Sequence, residues 1–134
     1  MNGGPTPNDP SIPSESAVYR RINPEWYVSS GTGGFRVTSQ AFQDKQGSMS
    51  VALGVLLIAT ELDPEIVLEG YPDFGLLSLS AGYLRSLHLG VVAEPTEAEP
   101  WHGSVYGKKT GSIRDKLAAA GVWVRRPSKA SKNP

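Results

Sequence analysis

Hydrophobic residues in this chain arrive in short runs set apart by Gly, Pro, Asn and Ser, a pattern of brief elements joined by tight turns. Between Val18 and Val28 the Asn23-Pro24 pair demands an extended or turn geometry, and Trp26 with Val28 then offers one face of a strand. Ser29 to Gly34 is a glycine-containing loop, after which Phe35, Arg36 and Val37 resume an extended course. Thr38 or Ser39 is placed to cap a short helix through Phe42 that stops by Gly47. Met49 to Thr60 supports two readings. Met49, Val51 and Leu53 alternate as in a strand, whereas Ser50 as a cap predicts a helix from Val51 to Ala59, and the helix is the preferred expectation.

The second half is punctuated more clearly. Asp63-Pro64-Glu65 starts a helix, with Asp as cap, Pro in the first turn and Gly70 as the stop. Phe74 to Leu77 predicts a short strand, and Ser78 or Ser80 caps a helix through His88 that Gly90 closes in the left-handed position. Val91 to Ala93 is extended, Glu94 to Pro100 is an acidic loop read as disordered, and Ser104-Val105-Tyr106 is a strand between glycines. Thr110 or Ser112 caps a helix from Ile113 to Ala120, ended by Gly121, and Val122-Trp123-Val124 suits a last short strand. Short strands interleaved with short helices predict one small α+β domain, with a mixed sheet and three to four helices. The expected organisation is a disordered leader over 1–17, the domain over 18–125 and a basic flexible tail over 126–134.

Composition narrows the chemistry. The 134-residue chain has no cysteine, which excludes a disulfide framework, a thiolate zinc site and a cysteine nucleophile. Two histidines make a dedicated metal site improbable, and no cofactor is expected. Met1 to Ala17 has neither the cationic start nor the apolar run of a secretory signal. The longest apolar stretch, Val51 to Ala59, falls far short of the ~20 residues needed to cross a bilayer, so a cytoplasmic protein without membrane contact is expected.

Charge changes the picture most. The formal net charge is zero, yet Lys108 to Pro134 carries eight Lys or Arg against the single acid Asp115. A basic end on a neutral molecule points to an anionic partner, either an acidic protein or a nucleic-acid backbone. Within that segment Gly107-Lys108-Lys109-Thr110 suggests a phosphate loop, because glycines free backbone N–H groups and a helix start attracts anions. The triphosphate-loop spacing fails, since Gly103 is one residue too close and Lys109 stands in the hydroxyl position. A looser anion contact through Lys108, Lys109 and Arg114 remains, against the plainer reading of solvated lysines before a capped helix.

Arg36 and Ser39 form a second candidate anion site, because an extended arginine followed by hydroxyls gathers donors around one phosphate or carboxylate. The plainer reading has Thr38 and Ser39 capping and Arg36 paired with a carboxylate. His102, after Pro100 and Trp101, is a candidate general base or phosphate donor, set against a structural histidine at a strand entrance. His88 has an ordinary use near a helix C-terminus. The aromatics suit core packing better than base stacking, the acids give no catalytic pair, and no Gly-x-Ser-x-Gly elbow supports a serine hydrolase.

Arg21-Ile22-Asn23-Pro24-Glu25-Trp26, Phe35 to Phe42, Met49-Ser50-Val51 and the later Pro100 to Thr110 block together resemble a set of small bacterial proteins of no established activity. The resemblance covers roughly residues 18 to 125 and implies a stand-alone bacterial domain, with no reaction attached. An early-strand arginine, a hydroxyl pair and a histidine also resemble ADP-ribosyltransferase-like nucleotide pockets, although no Glu follows Glu99 to supply the late glutamate of such enzymes. The leading expectation is a binding domain whose basic C-terminal surface meets an acidic protein or nucleic-acid backbone. The alternatives are an enzyme with Arg36, His102 and Lys108 around a phosphate, or one component of a two-gene toxin/antidote or defence system.

Overall fold

The computed structural model describes residues 6–29, 34–44 and 47–128. The chain forms β1 (Ala17–Ile22), β2 (Tyr27–Ser29), β3 (Phe35–Val37), β4 (Ser48–Leu53), α1 (Gly54–Ala59), β5 (Gly75–Ser80), α2 (Ala81–Ser86), β6 (Gly90–Ala93), β7 (His102–Tyr106), α3 (Gly111–Ala120) and β8 (Val122–Arg125). Three 3-10 turns, Pro24–Trp26, Ser39–Phe42 and Pro64–Leu68, are also present among the described residues. Six strands make one sheet in the order β6-β7-β4-β1-β5-β8, and β2 pairs with β3 in a separate ribbon. Every ladder among the described residues is antiparallel, which corrects the expected mixed sheet: neighbouring strands such as β6 and β7 are joined by connections that reverse the chain. This is the single α+β domain that the alternation of short runs implied.

The pleat of β1 divides the interior in two. Val18 and Ile22 point into the larger core, with Phe42, Leu84, Val105 and Leu117, beneath α2, α3 and the Ser39–Phe42 turn. Tyr19 points the other way, towards a smaller cluster of Ala52, Leu57, Val67, Leu68, Leu76 and Trp101. That second face is covered only in part, by the end of α1 and the Pro64–Leu68 turn.

Both patterns in Met49 to Thr60 are used in succession. The strand takes Ser48–Leu53 and the helix only Gly54–Ala59. Pairing with β1 on one side and β7 on the other claims the alternating residues, a non-local gain that overrides any cap from Ser50. The left-handed residue after α2 is His88, with φ of 65°, and Gly90 instead opens β6.

The expected mobile leader is corrected from residue 6 onward. Ile12 is 3% exposed and sits in the larger core. The Asp9 N–H donates to the Val91 carbonyl at 2.8 Å, and the Val91 N–H donates to Asn8 Oδ1 at 3.1 Å. Arg85 ties the same segment down through Asn8 Oδ1 and the Asp9 carbonyl. Mean polarity suggested mobility, but one buried isoleucine and an edge strand needing partners outweigh it. A Cβ on Gly90 would lie 1.8 Å from the Pro7 carbonyl oxygen, so only glycine lets the leader lie against β6. At the other end Pro127 is buried and Ser128 bonds Asp73, so 126–128 is placed; the rest of the expected tail, with Lys129 and Lys132, lies outside the described residues, as do 1–5 of the leader and 30–33 of the glycine loop.

Candidate functional site

Alternation along β7 brings His102, Ser104 and Tyr106 to one face of the sheet, the face turned away from the larger core. The β4 register sets Ala52 opposite His102, Ser50 opposite Ser104 and Ser48 opposite Tyr106. Tyr19 of β1, opposite Ala52, extends this polar stripe across a third strand.

Glu94, just beyond β6, organises it. Its carboxylate accepts from the Ser104 hydroxyl at 2.5 Å and from the Tyr106 phenol. Those bonds, with a smaller contribution from nearby His102, hold the Glu94 carboxyl below the usual glutamate range, and the same contact raises the Tyr106 phenol. The loop expected to be disordered is therefore anchored at Glu94, and at Glu99 through Arg21.

The Glu94 backbone decides the state of His102. His102 Nδ1 lies 3.0 Å from the Glu94 carbonyl oxygen, and Nε2 lies 3.3 Å from Ser50 Oγ. A carbonyl oxygen only accepts, so in the neutral ring Nδ1 carries the proton and Nε2 turns its lone pair to the Ser50 hydroxyl. A nucleophile, a base and an orienting acceptor thus stand in line, the relation that activates a serine.

A cleft of about 50 Å3 opens beside this pair, walled by Tyr19, Arg21, Ser50, Trp101 and His102. It exists because β1 and β4 part company: their ladder holds only Val18 to Leu53 and Tyr19 to Ala52. Past that point the Ser50 carbonyl accepts instead from Arg20 Nη1 at 2.8 Å, while Arg20 Nε donates to the Ala41 carbonyl at 3.0 Å. Burial pushes the Arg20 guanidinium down to about 10, which leaves it charged at neutral pH. On the cleft side Arg21 donates from Nε to the Val67 carbonyl at 2.7 Å, pairs through Nη2 with Glu99 at 2.8 Å, and lies 4.2 Å from the Tyr71 ring centre. Among the described residues these bonds leave Arg21 Nη1 without a protein acceptor.

The residues singled out from sequence do not converge. Arg36 is exposed on β3, and its ribbon packs through Val37 against the larger core, on the opposite face of the sheet from His102. Ser39 opens a 3-10 turn whose cap position is Thr38, and no side-chain cap bond forms; the buried Thr38 Oγ1 has no partner among the described residues. Lys108 is exposed but lies beyond the far end of β7, roughly 13 Å or more along the strand from His102. A single phosphate held by Arg36, His102 and Lys108 is therefore not built.

The glycine-lysine motif proves architectural. Lys109 forms a buried ion pair with Asp44, with side chains 2% and 10% exposed, and its Nζ also donates to the Gly107 carbonyl at 2.9 Å. Arg114, half-buried, donates from Nη1 to the Lys109 carbonyl at 3.1 Å. Thr110 caps α3 through the Ile113 N–H, and Gly107 supplies a φ of 114°. Arg125 contacts Glu65 at 3.5 Å. Two cations of the basic end are thus matched within the chain, and Lys108, Lys116 and Arg126 remain exposed. Ser50 is the residue that sequence reasoning missed as a site, being read only as a possible cap; no local signal marks it, because its partner is 52 positions away.

Among the described residues no group of His, Asp or Glu could hold a metal ion, and no helix is long and apolar enough to cross a membrane. No family model, curated protein or solved structure matches the chain.

Proposed function

We propose that the chain is a small acyl-transferring enzyme, most simply an esterase, with Ser50 as nucleophile and His102 as general base. The observation that carries the reading is the His102 ring held by the Glu94 carbonyl at Nδ1, with Nε2 facing Ser50 Oγ. Ser50 Oγ attacks the carbonyl carbon as its proton passes to His102 Nε2; the imidazolium returns that proton to the departing alkoxide, and water brought in by the same base releases the acyl group. The Glu94 carbonyl keeps its bond to Nδ1–H throughout. Arg21 Nη1, on the cleft wall, meets the oxyanion that develops in the addition step. At about 50 Å3 the cleft admits the reacting end of a substrate and leaves its remainder in solvent.

The test is covalent labelling. A fluorophosphonate probe should add once, at Ser50, as read by peptide mass spectrometry, and hydrolysis of p-nitrophenyl acetate should fall about 10²-fold or more in both Ser50→Ala and His102→Ala. Absence of the adduct, or hydrolysis by either variant at the rate of the unaltered chain, overturns the reading.

A further inference from the structure

The two edges of the sheet are treated differently. The β6 edge is covered by the leader through Asn8 and Asp9. Among the described residues β8 has one hydrogen-bonded neighbour, β5, and the ring of Tyr27 lies against Trp123. It is also apolar where natural edges are usually blunted, with Val122 66% and Val124 44% exposed. Val122 opens onto a groove of about 380 Å3 that includes Ala17, Leu79, Tyr83 and Ala120. Immediately after these valines come Arg125 and Arg126, both exposed, and the sequence continues through Lys129 and Lys132 with no acid after Asp115. Glu65 meets Arg125 at 3.5 Å with both side chains open to solvent, a contact that an incoming acid displaces at little cost.

We infer that β8 is a docking edge for an extended acidic segment of another protein, which adds to the sheet as an antiparallel seventh strand. The backbone of Val122–Arg125 supplies ladder bonds, the groove beside Val122 takes an apolar side chain, and Arg125 with Arg126 meets carboxylates at the segment's amino-terminal end. Charge decides between occupants. A second copy pairing antiparallel through β8 would set Arg125 against Val122 and leave both arginine pairs without a carboxylate. An acidic segment satisfies valines and arginines together. The edge lies away from the Ser50 cleft, so this inference stands or falls independently of the enzymatic reading.

The probe is a fluorescent acetylated hexapeptide, Glu-Val-Glu-Val-Thr-Val, followed by anisotropy with the full chain. Saturable binding that weakens with added salt is expected. The double variant Arg125→Glu/Arg126→Glu should lose about tenfold in affinity and gain a similar factor for the Lys-Val-Lys-Val-Thr-Val peptide. Val122→Lys/Val124→Lys should abolish binding of both peptides. No saturable binding, equal binding of the acidic and basic peptides by the unaltered chain, or a concentration-dependent dimer that excludes the peptide would each overturn the inference.

Discussion

Lys109→Met removes the ammonium from an ion pair whose side chains are 2% and 10% exposed and leaves the Asp44 carboxylate to be stabilised inside the fold. The ammonium is bonded by the Gly107 carbonyl as well, so the lysine end of the pair is held at two points. Breaking a buried pair from one side costs about 3 to 5 kcal/mol. At roughly 4 °C per kcal/mol for a domain of this size, the melting temperature should fall by about 12 to 20 °C. Urea unfolding followed by circular dichroism gives the same quantity as a lower midpoint at unchanged slope. The double variant Lys109→Met/Asp44→Leu replaces both charges by apolar groups of similar bulk and should recover most of the loss, because the desolvated carboxylate is gone. A loss below about 1 kcal/mol in the single variant, or a double variant no better than the single, would refute the view that Lys109 is an internal tie between α3 and the Ser39–Phe42 turn.

Ile12→Ala should cost about 2 to 4 kcal/mol in the same assay, because the leader is part of the larger core; a neutral result would return it to the status of a flexible arm. Gly90→Ala should expose β6 amides to hydrogen exchange, since the new Cβ meets the Pro7 carbonyl, and unchanged protection would contradict that packing. The Glu94 carboxyl titrates below its unfolded value, so the stability it supplies is complete above the unfolded pKa of about 4.3 and disappears as pH falls through the lower folded value. Ser104→Ala should raise the Glu94 pKa towards the ordinary range in a carbon-detected titration, and no movement would remove that hydroxyl as the cause. Tyr106 titrates above its ordinary value, so its share is complete below about pH 10 and is lost as pH rises through the folded pKa, which an ultraviolet titration of Tyr106→Phe against the unaltered chain reads directly.

What could be read from the residues alone was the short-range chemistry. Asp63 accepts from the Glu65 N–H at 3.0 Å, Ser80 from the Tyr83 N–H at 3.1 Å and Thr110 from the Ile113 N–H at 3.2 Å, each within three positions of its acceptor, so the cap and its helix appear together in any window. The α+β class followed from the same local rhythm. Strand boundaries at Ser48–Leu53 and the anchoring of the leader did not, because the partners that favour them lie on other strands and contribute nothing to local propensity. The most suggestive motif misled for a related reason: a lysine beside glycines looks like an anion site until Asp44 arrives from far upstream to bury it. Conversely, Ser50 and His102 carry no shared signature and become neighbours only through the β4 to β7 register and the parting of β1 from β4. Side-chain pairs that span a sheet are products of register, and register is settled by burial summed over the whole fold, which no stretch of sequence contains.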